Sequence, residues 1–220
     1  MTIDAILLDF GGTLDTGGDH WYRVMADAYL DRGLTLSQQA YIEGERTAAA
    51  AVRPGMGLAD TLAVKVRAQG CPEPSAVTDA LVARATASAA ASARELARLA
   101  AAVPLALVSN YYGNLERVAS ELGLRRYFAA VVDSAVAGVR KPSPDIFRIA
   151  LDRLGAAPAC TAMVGDSVAN DLIPAASLGC HTALVVGRPW PGKTAPAGFS
   201  PDMAGTLGEI ADALLTYVNN

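Results

Sequence analysis

An α/β architecture, a doubly wound parallel sheet with an all-helical cap inserted after the first strand, is predicted for this 220-residue chain by three observations. Short apolar runs that stop at turn residues alternate with helical patterns, the order expected of a parallel sheet. One long stretch between the first two runs holds no strand pattern and is rich in Ala, Arg and Leu. Hydrophobic residues make up 52% of the chain and charged residues 18%, so a sizeable core is available and bulk disorder is excluded.

The elements follow in order. Residues 3–10 (IDAILLDF) form the first run and lead into Gly11-Gly12. Residues 16–102 are read as the cap. Pro54-Gly55 and Gly70-Cys71-Pro72 break it into helices, residues 79–102 form one long Ala-rich helix, and no 20–50-residue period repeats. Residues 103–108 (VPLALV) lead into Ser109-Asn110, residues 128–132 (FAAVV) end at Asp133, residues 160–164 (CTAMV) lead into Gly165-Asp166, and residues 181–186 (HTALVV) end at Gly187. Apolar runs of this length bounded by turn residues suit strands buried on both faces. Helical patterns occupy 115–122, 145–154 and 172–178, with Gly123, Gly155 and Gly179 where helix C-termini favour glycine. Residues 188–198 (RPWPGKTAPAG) read as a surface loop and 207–218 as a last amphipathic helix. The core is thus assigned to 1–15 and 103–220.

Net charge is −4 and no Lys/Arg block stands out, which argues against a nucleic-acid surface or a polybasic membrane patch. The charge-free stretch 172–187 is broken by Pro174, Gly179 and His181 and falls short of the ~20 residues of a membrane span. The N-terminus has no basic head, so a signal peptide is not expected. Cys71, Cys160 and Cys180 are odd in number and make no CxxC pair, which fits a reduced, cytoplasmic setting. Nothing in the pattern specifies an oligomeric state.

Ligands of open parallel sheets bind beyond the carboxyl ends of the strands. There the sequence gathers Asp9, Ser109, Asp166, Asp171 and, from the stretch GVRKPSPDIF, Lys141. Three carboxylates at close range require a cation between them or a partner charge. Oxygen ligands without His or Cys suit magnesium, which also binds phosphate oxygens. Ser109, the backbone N–H groups at Gly11-Gly12 and the helix start near Asn114 are candidate phosphate holders. The pattern reads as a magnesium and phosphate site with a carboxylate available as nucleophile.

These residues resemble the haloacid dehalogenase-like hydrolases. The resemblance covers residues 1–15 and 103–190, through Asp9-Phe10-Gly11-Gly12-Thr13-Leu14, Ser109-Asn110, Lys141-Pro142 and Gly165-Asp166 to Asn170-Asp171. It implies a Rossmann-like core and a hydrolase acting on a small phosphorylated metabolite. Asp9 would be the nucleophile that forms an aspartyl-phosphate, and Ser109 with Asn110 would bind the phosphoryl group. Lys141 would neutralise charge, while Asp9, the main-chain oxygen of Gly11, Asp166 and Asp171 would hold magnesium. One departure stands out: where family phosphatases carry a second Asp, the general acid/base, this chain has Gly11. Three readings accommodate it. One is a phosphatase whose acid comes from Asp15, Asp19 or His20, or whose leaving group needs no proton. Another is a dehalogenase-type hydrolase, and the third a non-catalytic phospho-ligand or partner-binding protein. In the cap region, Arg46, Arg53 and Lys65 are candidates for a substrate anion against the reading of a solvated helix face. His20-Trp21-Tyr22 and Tyr111-Tyr112 are candidates for pocket lining against ordinary packing.

Overall fold

The computed structural model describes residues 2–192 and 197–218. Its elements are β1 (Ala5–Leu8), α1 (Trp21–Leu30), α2 (Gln38–Ala51), α3 (Leu58–Ala68), α4 (Pro74–Ala100), β2 (Leu105–Ser109), α5 (Leu115–Glu121), β3 (Ala130–Asp133), α6 (Ser134–Ala137), α7 (Asp145–Leu154), β4 (Thr161–Gly165), α8 (Ile173–Ala176), β5 (His181–Val185), β6 (Met203–Gly205) and α9 (Leu207–Leu215). The strands form one parallel sheet in the order β3-β2-β1-β4-β5-β6. The order reverses at β1, so the crevice between β1 and its neighbours is where such a sheet binds ligands.

Burial on both faces explains the continuous apolar runs. Successive side chains of a strand point to opposite faces. Ile6, Leu8, Leu105 and Leu107 accordingly join the core shared with α4, α5 and α9. Leu7, Ala106, Val108 and Met163 face α7 through Ile146, Phe147, Ala150 and Leu151. Leu8 is in register with Leu107 of β2 and Val164 of β4. The residues just beyond these three strands therefore emerge side by side.

The cap helices are locally specified. Ser37 caps α2 by accepting the Ala40 N–H, and Asp60 accepts the Gly57 N–H at the start of α3. Asn114 ties cap to core, donating to the Met56 carbonyl at 2.9 Å and to Thr61 Oγ1 at 2.8 Å. The last cap helix, α4, begins at Pro74, five residues earlier than its Ala-rich pattern suggests. Proline is tolerated in a first turn because its missing N–H would have no partner there. The second half of α4 also leaves the cap. Ser92 Oγ donates to the Leu14 carbonyl at 2.9 Å and Arg98 pairs with Asp212 of α9 at 2.6 Å, so one helix spans both units.

Four local expectations are corrected. Residues 172–178 are not one regular helix: a π-turn over Val168–Leu172 precedes the short α8, whose Pro174 has no N–H to give. The last helix stops at Leu215 rather than 218. The edge strand β6 was not anticipated, since three half-exposed residues carry no periodic signal. Of the expected surface loop, 193–196 lie outside the described residues. Its beginning is more than a loop: Arg188 pairs with Asp19 and Asp27, and the Trp190 ring packs against His20, Tyr22 and Tyr41. Among the described residues no helix is long and apolar enough to cross a membrane.

Candidate active site

Asp9 follows the central strand directly, and its N–H donates to the Val164 carbonyl at 2.9 Å, fixing its backbone against β4. Its Oδ1 accepts from Ser109 Oγ at 3.0 Å and from Lys141 Nζ at 2.6 Å. Lys141 Nζ reaches Asp171 Oδ1 at 2.6 Å as well. All four side chains are buried. Lys141 is placed by Asn110, whose amide donates to the Lys141 carbonyl at 3.0 Å and accepts the Lys141 N–H at 2.8 Å. The Lys141-Pro142 bond is cis.

Two glycines admit the remaining acids. A Cβ on Gly165 would lie 2.6 Å from Asp171 Oδ2, an oxygen that accepts the Ser167 N–H at 3.1 Å. Gly12, at φ +104°, would carry a Cβ 2.6 Å from both Asp166 carboxylate oxygens. The Thr13 hydroxyl sits between acids, 3.2 Å from Asp166 Oδ1 and 3.4 Å from Asp9 Oδ2, and accepts the Asp166 N–H at 3.1 Å.

Asp9, Asp166 and Asp171 each offer an oxygen within 4.8 Å of the others. One lysine faces these three carboxyl groups. Burial, reinforced by Asp9 and Asp171, holds the Asp166 carboxyl well above its ordinary range. Burial also raises Asp171 to about 6, against the pull of Lys141. Burial alone would lower the Lys141 ammonium, but Asp171 and Asp9 outweigh it and keep it raised. A cluster of hard oxygen donors whose acids repel one another is suited to a divalent cation such as magnesium.

The acids open into a cavity of about 170 Å³ whose far wall is supplied by the cap. There Lys65 of α3 is buried, and its ammonium lies 5.5 Å from the Trp21 ring centroid and 5.7 Å from those of Tyr41 and Tyr112. Its partner is Glu45 of α2, with Nζ 2.5 Å from Oε1. The Tyr112 hydroxyl donates to the other Glu45 oxygen. Burial would push the Glu45 carboxyl up, but Lys65 and the hydrogen bonds prevail and lower it. Of the three cap cations singled out from the sequence, only Lys65 borders this cavity: Arg46 pairs with Glu43 on the surface, and Arg53 donates to the Ala50 and Val52 carbonyls. Tyr111, Tyr112, His20 and Trp21 all border it.

The Gly11 position has a definite neighbour. A Cβ there would face the Trp21 indole at 3.7–3.8 Å. Behind the indole lies Asp15, 1% exposed, which accepts the Gly12 N–H at 2.9 Å and Trp21 Nε1–H at 2.8 Å. Burial raises Asp15 to about 7 against those two hydrogen bonds, but the residue does not border the cavity. Asp19 is held on the surface by Arg188. His20 borders the cavity, yet its Nδ1 accepts the Tyr22 N–H at 3.1 Å to cap α1. That bond puts the proton of the neutral ring on Nε2.

Two groups expected to hold phosphate are hydrogen-bonded within the protein. The Gly12 N–H is committed to Asp15, and the N–H groups of Gly113 and Leu115 both donate to Asp133 Oδ2, at 2.8 and 3.1 Å. Ser109, Asn110 and Gly11 do border the cavity. Glu45 was missed altogether. Its only sequence signal is the i,i+4 spacing from Tyr41, which puts both on one face of α2.

A family model described as haloacid dehalogenase-like hydrolase matches residues 3–179. The chain is 45% identical to the mouse haloacid dehalogenase-like hydrolase domain-containing protein 3 over 83 residues, 38% of this chain and 33% of that protein. It is 38% identical to a Thermus thermophilus phosphoserine phosphatase over 82 residues, 37% and 33% of the two chains. The chain thus matches about a third of the length of these relatives. Among solved structures, the L-2-haloacid dehalogenase from Xanthobacter autotrophicus superposes with a TM-score of 0.62 at 21% identity, covering 97% of this chain and 99% of that one. The magnesium-bound YfnB from Bacillus subtilis gives 0.59 at 15%, covering 97% and 99%. At these identities the structural likeness is one of fold.

Proposed function

The chain belongs to the haloacid dehalogenase-like hydrolases, and from that premise we propose that it is a magnesium-dependent phosphohydrolase of a small metabolite, using Asp9 as nucleophile and restricted to leaving groups that depart without a proton. The observation that carries this reading is the pairing of an acid–lysine floor with Gly11, where a Cβ would meet the Trp21 indole and no acidic side chain.

Asp9 Oδ1 is engaged by Ser109 and Lys141, while among the described residues Oδ2 has only the long contact to Thr13. Oδ2 is therefore the oxygen free to attack phosphorus. The Asp9–phosphorus bond forms as the bond to the leaving oxygen breaks, and the leaving group departs as an anion. Lys141 and the Ser109 hydroxyl offset charge on the phosphoryl oxygens. Water then attacks phosphorus, Asp9 leaves as a carboxylate, and both protons of the water stay with the product, released as dihydrogen phosphate. Asp9, Asp166, Asp171 and the Gly11 carbonyl would hold magnesium, which when bound supplies further positive charge to the phosphoryl group. General acid–base help is worth roughly 10²–10⁴-fold. Asp15 is walled off and Asp19 is outside, so alkyl esters would forgo that gain while acyl phosphates would not need it.

Phosphate release from acetyl phosphate, p-nitrophenyl phosphate and ethyl phosphate, with magnesium or with chelator, tests the reading. Magnesium-dependent turnover is expected, with ethyl phosphate at least ~10²-fold slower than acetyl phosphate. No release from acetyl phosphate at high protein concentration would overturn it in favour of a ligand-binding protein. Halide release from 2-chloropropionate would favour the dehalogenase-type reading that Gly11 also admits.

A further inference from the structure

We propose that Lys65 is the specificity residue of the cap and that it recognises a carboxylate on the leaving part of the substrate; this rests on the phosphohydrolase reading above.

Lysine on a helix ordinarily lays its stem along the surface and keeps its head in water. Lys65 does the reverse: the side chain is 6% exposed and the ammonium stands among three rings at the cavity wall. Packing does not account for it, because a buried ion pair gives little or no stability over apolar residues of similar size. An ammonium has three donors. Its acidic partner, Glu45 Oε1, lies 2.5 Å away and engages one of them. Glu45 is in turn shared with the Tyr112 hydroxyl, so it can lean away without losing every partner. The arrangement is a cation held ready by rings, with a counter-ion that an incoming carboxylate can relieve.

The surroundings fix the rest of the substrate. Asp9, Ser109 and Lys141 border the same cavity as Lys65, so a phosphoryl group at Asp9 has its leaving part directed at the cap. About 170 Å³ is small beside the 300 Å³ and more of drug-sized pockets. Roughly two to four carbons fit between the phosphoryl group and the cap wall. The substrate class is therefore a short acyl phosphate that carries a second, free carboxylate, and phosphoglycolate serves as its non-labile analogue in binding.

The test is calorimetric binding in the presence of magnesium to the Asp9→Asn protein, which binds without turning over. The two probes are phosphoglycolate and 2-hydroxyethyl phosphate, matched in size and differing in the carboxylate. Phosphoglycolate is expected to bind at least ~10-fold tighter, and Lys65→Met, which keeps the stem among the rings, to bring the two within ~2-fold. Glu45→Gln is expected to tighten phosphoglycolate and leave 2-hydroxyethyl phosphate unchanged, because the competing anion is gone. A purely structural ion pair would instead weaken both ligands in Glu45→Gln. Equal binding of the two probes to the protein with Lys65 intact overturns the proposal without any cap variant having to fold. So does a preference that survives Lys65→Met. Acetyl phosphate turnover by the unmodified protein is scored separately, so failure of the carboxylate reading is distinguishable from failure of the hydrolase reading.

Discussion

The floor and the far wall of the cavity are both charged and both buried, yet they are built in opposite ways. On the floor, three carboxyl groups face one lysine, so charge is left over and the acids Asp166 and Asp171 are strained upward. In the cap wall, one carboxylate faces one lysine inside a set of aromatic rings, and charge is balanced. Unbalanced charge attracts a cation and drives chemistry on any phosphoryl group. Balanced charge stays quiet until a substrate group replaces one partner, and so it selects. Variants on the floor should therefore affect all substrates alike, and those in the cap wall should discriminate among them.

The harshest test of that division is Asp9→Asn. It removes the oxygen proposed to attack phosphorus while leaving Lys141 its second partner, Asp171, at 2.6 Å. Steady-state release from acetyl phosphate and p-nitrophenyl phosphate is expected to fall by more than ~10³-fold for both, with an unchanged far-UV spectrum. A fall confined to one substrate would mean that the floor also selects.

Gly11→Asp tests the missing acid by addition. The Cβ has room, with its nearest neighbours the Trp21 ring atoms at 3.7–3.8 Å. Turnover of ethyl phosphate is expected to rise by ~10²-fold, and that of acetyl phosphate to change little. An equal gain on both substrates would show that the new carboxylate acts on metal or fold rather than on the leaving group.

A third prediction separates charge from chemistry. Ligands that bind only the folded state stabilise it, by about 2.7 kcal/mol at a concentration 100 times Kd. Magnesium is expected to raise the thermal midpoint by several degrees, and Asp166→Asn to abolish that increase. Without magnesium, Asp166→Asn is expected to melt no lower than the unmodified protein, since it relieves a buried acid repelled by Asp9 and Asp171. A lower midpoint for the metal-free variant would show that the floor is balanced after all.

The same contrast explains what the sequence made legible. Every floor residue stands at or just beyond a strand end, or in the KPSPDIF segment. A parallel sheet brings its carboxyl ends together, so Asp9, Ser109, Lys141, Asp166 and Asp171 could be gathered from order alone. The core strands were legible for the same reason, while β6 was too short and too exposed to leave a pattern. The cap wall is assembled from three helices and a loop whose mutual rotation no local pattern specifies. Lys65 could be named only as one of three cap cations, and Glu45 not at all. Asp15 was visible as a nearby acid, but its burial behind Trp21 depends on where α1 starts, and that start is set by the His20 cap.

Asp15 gives an effect on stability alone, and the one with a defined pH window. Burial raises its folded-state value from 3.8 to about 7, so the folded protein binds this proton more tightly than the unfolded chain. A raised acid contributes stability that is complete below the unfolded value and is lost as pH climbs through the folded one. From pH 5 to pH 8, the unmodified protein should therefore lose about 2–3 kcal/mol that Asp15→Asn, which does not titrate, has no means of losing. The variant sacrifices one hydrogen bond at every pH, because an amide cannot accept from both the Gly12 N–H and the Trp21 Nε1–H through its oxygen-bearing end alone. It should thus be clearly less stable than the parent at pH 5 and much closer to it at pH 8, as read from urea midpoints in magnesium-free buffer. A constant deficit across that range would place the Asp15 titration outside the window. It would also remove the reason for keeping a buried, chargeable acid behind the Trp21 indole, where it now does no more than hold Gly12 and the indole in place.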